Sequence, residues 1–116
     1  MLTMLQPVRV PGTGDKLIQE LAGVASTGQD GVSVARMTAP AGWDEPGQRP
    51  EFDEITYVLA GELVVEHEGG RLSLGAGECV LARAGEWVRY AAGPGGAEYL
   101  AVCAPAFTPE RAHRDD

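Results

Sequence analysis

The chain has 116 residues and a formal net charge of −8, with 17 acidic side chains against 9 Lys and Arg. That length suits one domain with an ordinary hydrophobic core, and the acidic excess argues against a nucleic-acid partner, whose affinity comes chiefly from phosphate neutralisation. No apolar run approaches the roughly 20 residues that span a bilayer, and the start MLTMLQPVRVPG lacks the charged-then-apolar pattern of a secretion signal, so a soluble cytoplasmic protein without membrane association is expected.

Residues 1–15 read as an extended arm that turns at Pro11-Gly12-Thr13-Gly14. Apolar residues at 17, 18 and 21 make Lys16–Ala22 compatible with a short helix or an edge strand, and periodicity alone leaves both open. Gly23–Gly31 reads as loop. From Val32 the pattern turns to period two: Val32, Val34 and Arg36 alternate with Ser33, Ala35 and Met37. Pro40–Pro50 is a long loop. Short strand-like runs closed by turn residues follow: Glu54–Ala60, Glu62–Glu68, Arg71–Leu74, Glu78–Ala82, Trp87–Ala91 and Glu98–Cys103. Short strands at such regular spacing imply an all-β sandwich or barrel. The tail Ala106–Asp116 is charged at its end and is expected to lie over the surface.

Two blocks carry a family resemblance. Glu54-Ile55-Thr56-Tyr57-Val58-Leu59-Ala60-Gly61 sets an acid seven residues before a glycine, and Gly77-Glu78-Cys79-Val80-Leu81-Ala82-Arg83-Ala84-Gly85 follows at a suitable distance. Together they resemble the first and second motifs of the cupin superfamily, over roughly residues 32–104. The resemblance implies a single-domain double-stranded β-helix, a jelly-roll barrel with a pocket in its mouth. It divides the chain into an arm at 1–31, a barrel core at 32–104 and a tail at 105–116. It also implies a homodimer in which the arm takes part.

The family's metal ligands are two histidines shortly before the acid, the acid itself, and a histidine in the second motif. Here the first two positions hold Gly47 and Arg49 on one spacing, or Gln48 and Pro50 on the other, and the last holds Val88. Only Glu54 remains, so the chain resembles degenerate cupins of the ethanolamine-utilisation type, and no metal cofactor is expected. A divalent metal held by unorthodox ligands such as Gln48, Glu51 and Glu54 stays open as a lesser alternative. The two histidines, His67 and His113, are too few to build a His-rich site alone.

Several side chains can carry chemistry. Arg49 in a former ligand position offers a planar fork for a carboxylate or phosphate; the plainer reading pairs it with Glu51, Asp53 or Glu54. Glu54, if desolvated in the pocket, is a general acid or base; otherwise it is a structural carboxylate beside Arg49 or Arg89. Glu51 and Asp53 read as a solvated rim. Tyr90 shares a strand face with Val88 and is expected to look into the barrel, either towards a ligand or as core packing. Val58, Leu63 and Val65 complete an apolar lining. Cys79 and Cys103 read as small, unreactive thiols. The expectation is a cupin binding a small organic molecule, with Glu54 and Tyr90 as candidate catalytic groups for a metal-independent lyase, isomerase or cyclase. Gln48, Arg49, Glu51, Val58, Leu63, Val65 and Val88 are the candidate substrate contacts. The rival expectation is a dimeric, non-catalytic binding or accessory module.

Overall fold

A computed structural model describes residues 1–116. Seven strands and one short helix follow in order: β1 (Val8–Val10), β2 (Leu17–Ala22), β3 (Ser33–Ala39), β4 (Asp53–His67), β5 (Gly70–Gly75), β6 (Cys79–Ala82), β7 (Val88–Ala104) and α1 (Pro109–Ala112). All strand pairings are antiparallel, in the order β1-β2-β3-β7-β4-β5, with β6 also on β4.

Lys16–Ala22, which periodicity left open, contributes the strand β2, so part of the N-terminal segment belongs to the sheet. Four of the short runs merge into two long strands. The runs on either side of Gly61 form β4, and those on either side of Gly93–Gly96 form β7. Their pairing shifts register between Val58 and Ala60 and between Gly61 and Leu63. Such irregularities bend a strand sharply without ending it. Gly61 has φ +78°, and a Cβ there would meet the Gly96 carbonyl oxygen at 2.1 Å. Only glycine allows the two bent strands to cross this closely.

The bends fold the sheet onto itself. The first half of β4 and the second half of β7 join β1, β2, β3 and β6, while the remaining halves join β5. Period-two alternation then sends one set of side chains inward. Trp43, Val58, Leu63, Val65, Val88, Tyr90 and Tyr99 belong to the main core between the halves. A smaller cluster of Phe52, Cys103 and Ala112, with Phe107 against it, anchors the C-terminal segment. That segment starts its helix with the Thr108 hydroxyl accepting from the Arg111 amide (3.1 Å), and Arg111 reaches Asp30 and the Ala106 carbonyl.

Candidate functional site

The geometry of the entry to β4 decides which side chains face inward. The Gln48 and Val88 backbones exchange two hydrogen bonds of 2.9 Å, extending the sheet by one bridge and fixing the local register. From there burial alternates: Gln48, Pro50, Phe52 and Glu54 are buried, and Arg49, Glu51 and Asp53 are exposed. Arg49 therefore lies outside the barrel, donating to Glu68 (2.8 Å) and to the Gly85 carbonyl (2.9 Å). Glu51 also points outward and pairs with His113. Asp53 accepts from the Ala84 amide at 2.8 Å.

A cavity of about 260 Å³ lies between β2, β3, β4 and β7. Of the residues singled out from sequence it brings together Gln48, Glu54 and Tyr90. Val58, Leu63, Val65 and Val88 are buried in the core rather than on the cavity wall. Ile18, Ala35, Met37 and Ala101 supply apolar wall, while Phe107, Pro109 and Arg114 of the C-terminal segment complete it.

Four functional side chains of this cavity escaped the sequence reading: Lys16, Glu45, Tyr99 and Arg114. Lys16 and Glu45 form a buried ion pair, Nζ to Oε2 3.4 Å, with side chains 4% and 5% exposed. The Lys16 ammonium also donates to the Tyr99 hydroxyl (3.3 Å) and lies 4.2 Å from the centre of the Trp43 ring. Arg114 approaches the same Glu45 oxygen at 3.9 Å. On the outer side, Arg89 donates to the Glu45 carbonyl (3.0 Å) and pairs with Glu66 and Asp44, which fixes the segment carrying Glu45. The one signal in the sequence was scarcity: Lys16 is the chain's single lysine beside eight arginines.

Burial dominates the electrostatics. It pushes Glu54 up from 4.5 to about 7, with further upward pressure from the Glu45 charge, opposed by Lys16 and Arg114. Burial lowers Lys16 against the pull of Glu45 and Glu54. Both tyrosines are raised well above their ordinary value, chiefly by burial, as is the Cys103 thiol on the cavity wall. The Thr56 hydroxyl tempers the Tyr90 shift, yet neither hydroxyl completes a hydrogen bond. Gln48 Oε1 is likewise buried without a partner. Unpaired polar atoms beside a cavity carry a desolvation cost that a bound polar group relieves.

A bent two-half jelly roll with a cavity under one end is the architecture of the cupin fold. The chain belongs to the cupin domain family, whose pattern matches residues 35–103. Similar solved structures include oxalate decarboxylase of Bacillus subtilis, 17% identical at a TM-score of 0.80, covering 98% of this chain and 33% of that one. KdgF from Halomonas sp. is 17% identical at 0.73, covering 86% and 89% of the two chains. Pac13, a nucleoside dehydratase, is 15% identical at 0.79, covering 99% and 92%. The "Endoribonuclease YbeY" of Myxococcus xanthus is 50% identical over 107 residues, which are 91% of this chain. The match spans 36% of that longer relative.

The Bacillus oxalate decarboxylase has Mn(II) centres, so the vacated ligand positions can be tested against a metal. Gln48 and Glu54 offer one amide and one carboxylate, while Pro50 and Val88 offer no side-chain donor. No three His, Cys, Asp or Glu side chains are arranged closely enough to hold a metal ion together. The Gln48, Glu51 and Glu54 combination does not assemble, because Glu51 faces outward. The residues at the family's metal position do not fit a metal ion.

Proposed function

We propose that this cupin binds a small organic molecule in the cavity and moves a proton to or from it through Glu54, as a lyase or isomerase that needs no metal. One observation carries this reading. Glu54, balanced near neutrality at about 7, lines a cavity to which Tyr90 and Gln48 also contribute, and the Tyr90 hydroxyl and the Gln48 carbonyl oxygen are buried without hydrogen-bond partners. A carboxyl with that balance donates and accepts protons with comparable ease at physiological pH, and perturbed acids in clefts mark functional sites. Glu54 removes a proton from a carbon next to a carbonyl, and the neutral Tyr90 hydroxyl donates to the oxygen where negative charge builds.

With Arg49 outside, the role of anion anchor passes to Lys16 and Arg114. Both are already engaged by Glu45, so the cavity suits a neutral carbonyl or hydroxyl compound better than a strong anion. Cleavage of RNA is not carried over from the longer relative. The cavity's three glutamates, Glu20, Glu45 and Glu54, and a net charge of −8 oppose a phosphodiester backbone.

The test is a ligand-observed NMR screen of short aldehydes, ketones and hydroxy-ketones in D₂O. Bound compounds are expected to gain deuterium next to the carbonyl with wild-type protein and not with Glu54→Gln, which retains binding. Absence of any cavity binder, or exchange unaffected by Glu54→Gln, would overturn the proposal.

A dimeric, non-catalytic module is the second reading, favoured by the outer face of the sheet. Leu81, Ile55 and Val102 are cross-strand neighbours there, next to Tyr57 and Leu100, and Ile55, Tyr57 and Leu81 are exposed. A second copy of the chain is the proposed occupant, since the neighbouring Arg36–Glu98 pair offers both signs of charge to an identical face. Sedimentation of wild type against Ile55→Glu reads the dimer, and a dimer that shows no Glu54-dependent deuterium exchange would favour this reading over the catalytic one.

A further inference from the structure

We propose that Lys16 is a carbonyl-capturing nucleophile, whose amine condenses reversibly with an aldehyde or ketone held in the cavity. The inference rests on the cavity being a small-molecule site and adds a covalent step at a residue the proton-transfer reading does not use.

The geometry points to Lys16 in three ways. First, it is the chain's one lysine. The eight arginines stay protonated, so no other cationic side chain can become a neutral amine. Second, Lys16 is buried and yet lines the cavity, so a bound molecule meets it without first opening the fold. Third, its three contacts hold the amine without saturating it. The distances to Glu45 and Tyr99, 3.4 and 3.3 Å, are longer than the roughly 2.8 Å of a tight charge-assisted hydrogen bond, and the third contact is the Trp43 ring. Burial also lowers the proton affinity of this amine, as expected for a Schiff-base lysine.

The step balances. The Lys16 ammonium passes one proton to the Glu45 carboxylate and becomes a neutral amine. Its lone pair forms the N–C bond to the carbonyl carbon, while the C=O π pair moves onto oxygen, which takes a hydrogen bond from the Tyr99 hydroxyl. A proton shift from nitrogen to oxygen gives the carbinolamine. Protonation of its hydroxyl by the neutral Glu54 carboxyl expels water and leaves an iminium ion at Lys16 with Glu54 ionised. Addition of water reverses the sequence. The ionised Glu54 is then the base for the neighbouring C–H, which the iminium acidifies.

The test exploits the fact that the chain has two primary amines, Lys16 and the exposed amino terminus at Met1. Folded protein is treated with butanal and cyanoborohydride at pH 7 and the adducts are located by peptide mass spectrometry. Lys16 is expected to be alkylated at least about tenfold faster than Nα-acetyl-lysine amide, as a depressed amine pKa predicts, with Met1 as the internal standard. Lys16→Arg, which keeps the charge, is expected to retain only the Met1 adduct. Labelling of Lys16 no faster than the reference amine, or only after urea, would overturn the proposal. Glu54→Gln separates the two readings. A Lys16 adduct with no Glu54-dependent deuterium exchange removes proton transfer by Glu54 and leaves the condensation at Lys16 standing, and exchange without an adduct removes the condensation and leaves the proton transfer standing.

Discussion

Lys16 and Glu45, 29 residues apart in sequence, meet inside the barrel as a buried ion pair with Nζ 3.4 Å from Oε2. Removing one partner leaves the other charge without compensation in a low-dielectric site, a loss on the order of 3 kcal/mol. Arg114, 3.9 Å from the same Glu45 oxygen, softens the loss for Lys16→Met, whereas Glu45→Leu leaves Lys16 with Glu54, a half-protonated carboxyl at neutral pH, as its acidic neighbour. Urea unfolding is expected to rank Glu45→Leu as the less stable of the two. The double variant Lys16→Met/Glu45→Leu should recover most of the difference from wild type, because an apolar pair of similar volume needs no desolvation. A double variant as unstable as the sum of the singles would show that the pair's energy lies elsewhere.

Glu54 sets a pH dependence whose sign follows from its shift. Its pKa rises from 4.5 to about 7 in the fold, so between those values the folded chain binds a proton that the unfolded chain has released. This group therefore costs nothing below 4.5. Stability falls as pH rises from 4.5 to 7, and above 7 the full cost stands, about 3 kcal/mol. Unfolding of wild type is expected to need less urea at pH 8 than at pH 5. Glu54→Gln should be nearly flat over that window and more stable than wild type at pH 8. A variant with the wild-type slope would assign the titration to another group.

The family frame was legible because it rests on glycines and period-two apolar residues: Gly61, Gly77 and the runs around Val58 and Leu63 each hold a backbone position. The bends were not. Gly61 and Gly93–Gly96 look like the ends of strands in sequence, since a turn and a bulge use the same residue type, and only pairing across the sheet shows that β4 and β7 continue through them. The site was half legible. Glu54 follows from the cupin resemblance, and Tyr90 from alternation counted from the family's ligand position at Val88, whereas the facing of Gln48 and Arg49 depends on one backbone bridge to Val88. Lys16, Glu45 and Arg114 come from segments with no periodic signal. Their convergence is a product of long-range closure, which local patterns do not encode.

Arg49 provides the control for that distinction. It is exposed and bound to Glu68 and the Gly85 carbonyl at the surface, and such pairs contribute about 0.5 kcal/mol or less. Arg49→Ala is expected to leave both unfolding and cavity binding within that margin. Gln48→Leu removes a buried amide whose oxygen has no partner, and should weaken ligand binding at least about threefold, the equivalent of one modest hydrogen bond. Isothermal titration with any ligand from the NMR screen compares them. An Arg49→Ala effect larger than that of Gln48→Leu would place the ligand outside the cavity.

Tyr90 separates stability from function most sharply. Its hydroxyl is buried and unpartnered, so the free protein bears a desolvation cost there with no hydrogen bond to offset it. Tyr90→Phe removes that cost and leaves the ring packing in the main core intact. Thermal unfolding of the free variant is expected to be unchanged or raised, by up to about 1 kcal/mol in stability. The bound state has the opposite dependence, because a ligand oxygen that accepts from Tyr90 loses its donor. Glu54-dependent deuterium exchange in the variant should fall by at least about tenfold, in line with loss of a single donor to developing negative charge. A hydroxyl needed only for packing would instead destabilise the free protein when removed and leave exchange per bound ligand unaltered, and that pair of results would retire Tyr90 from the site.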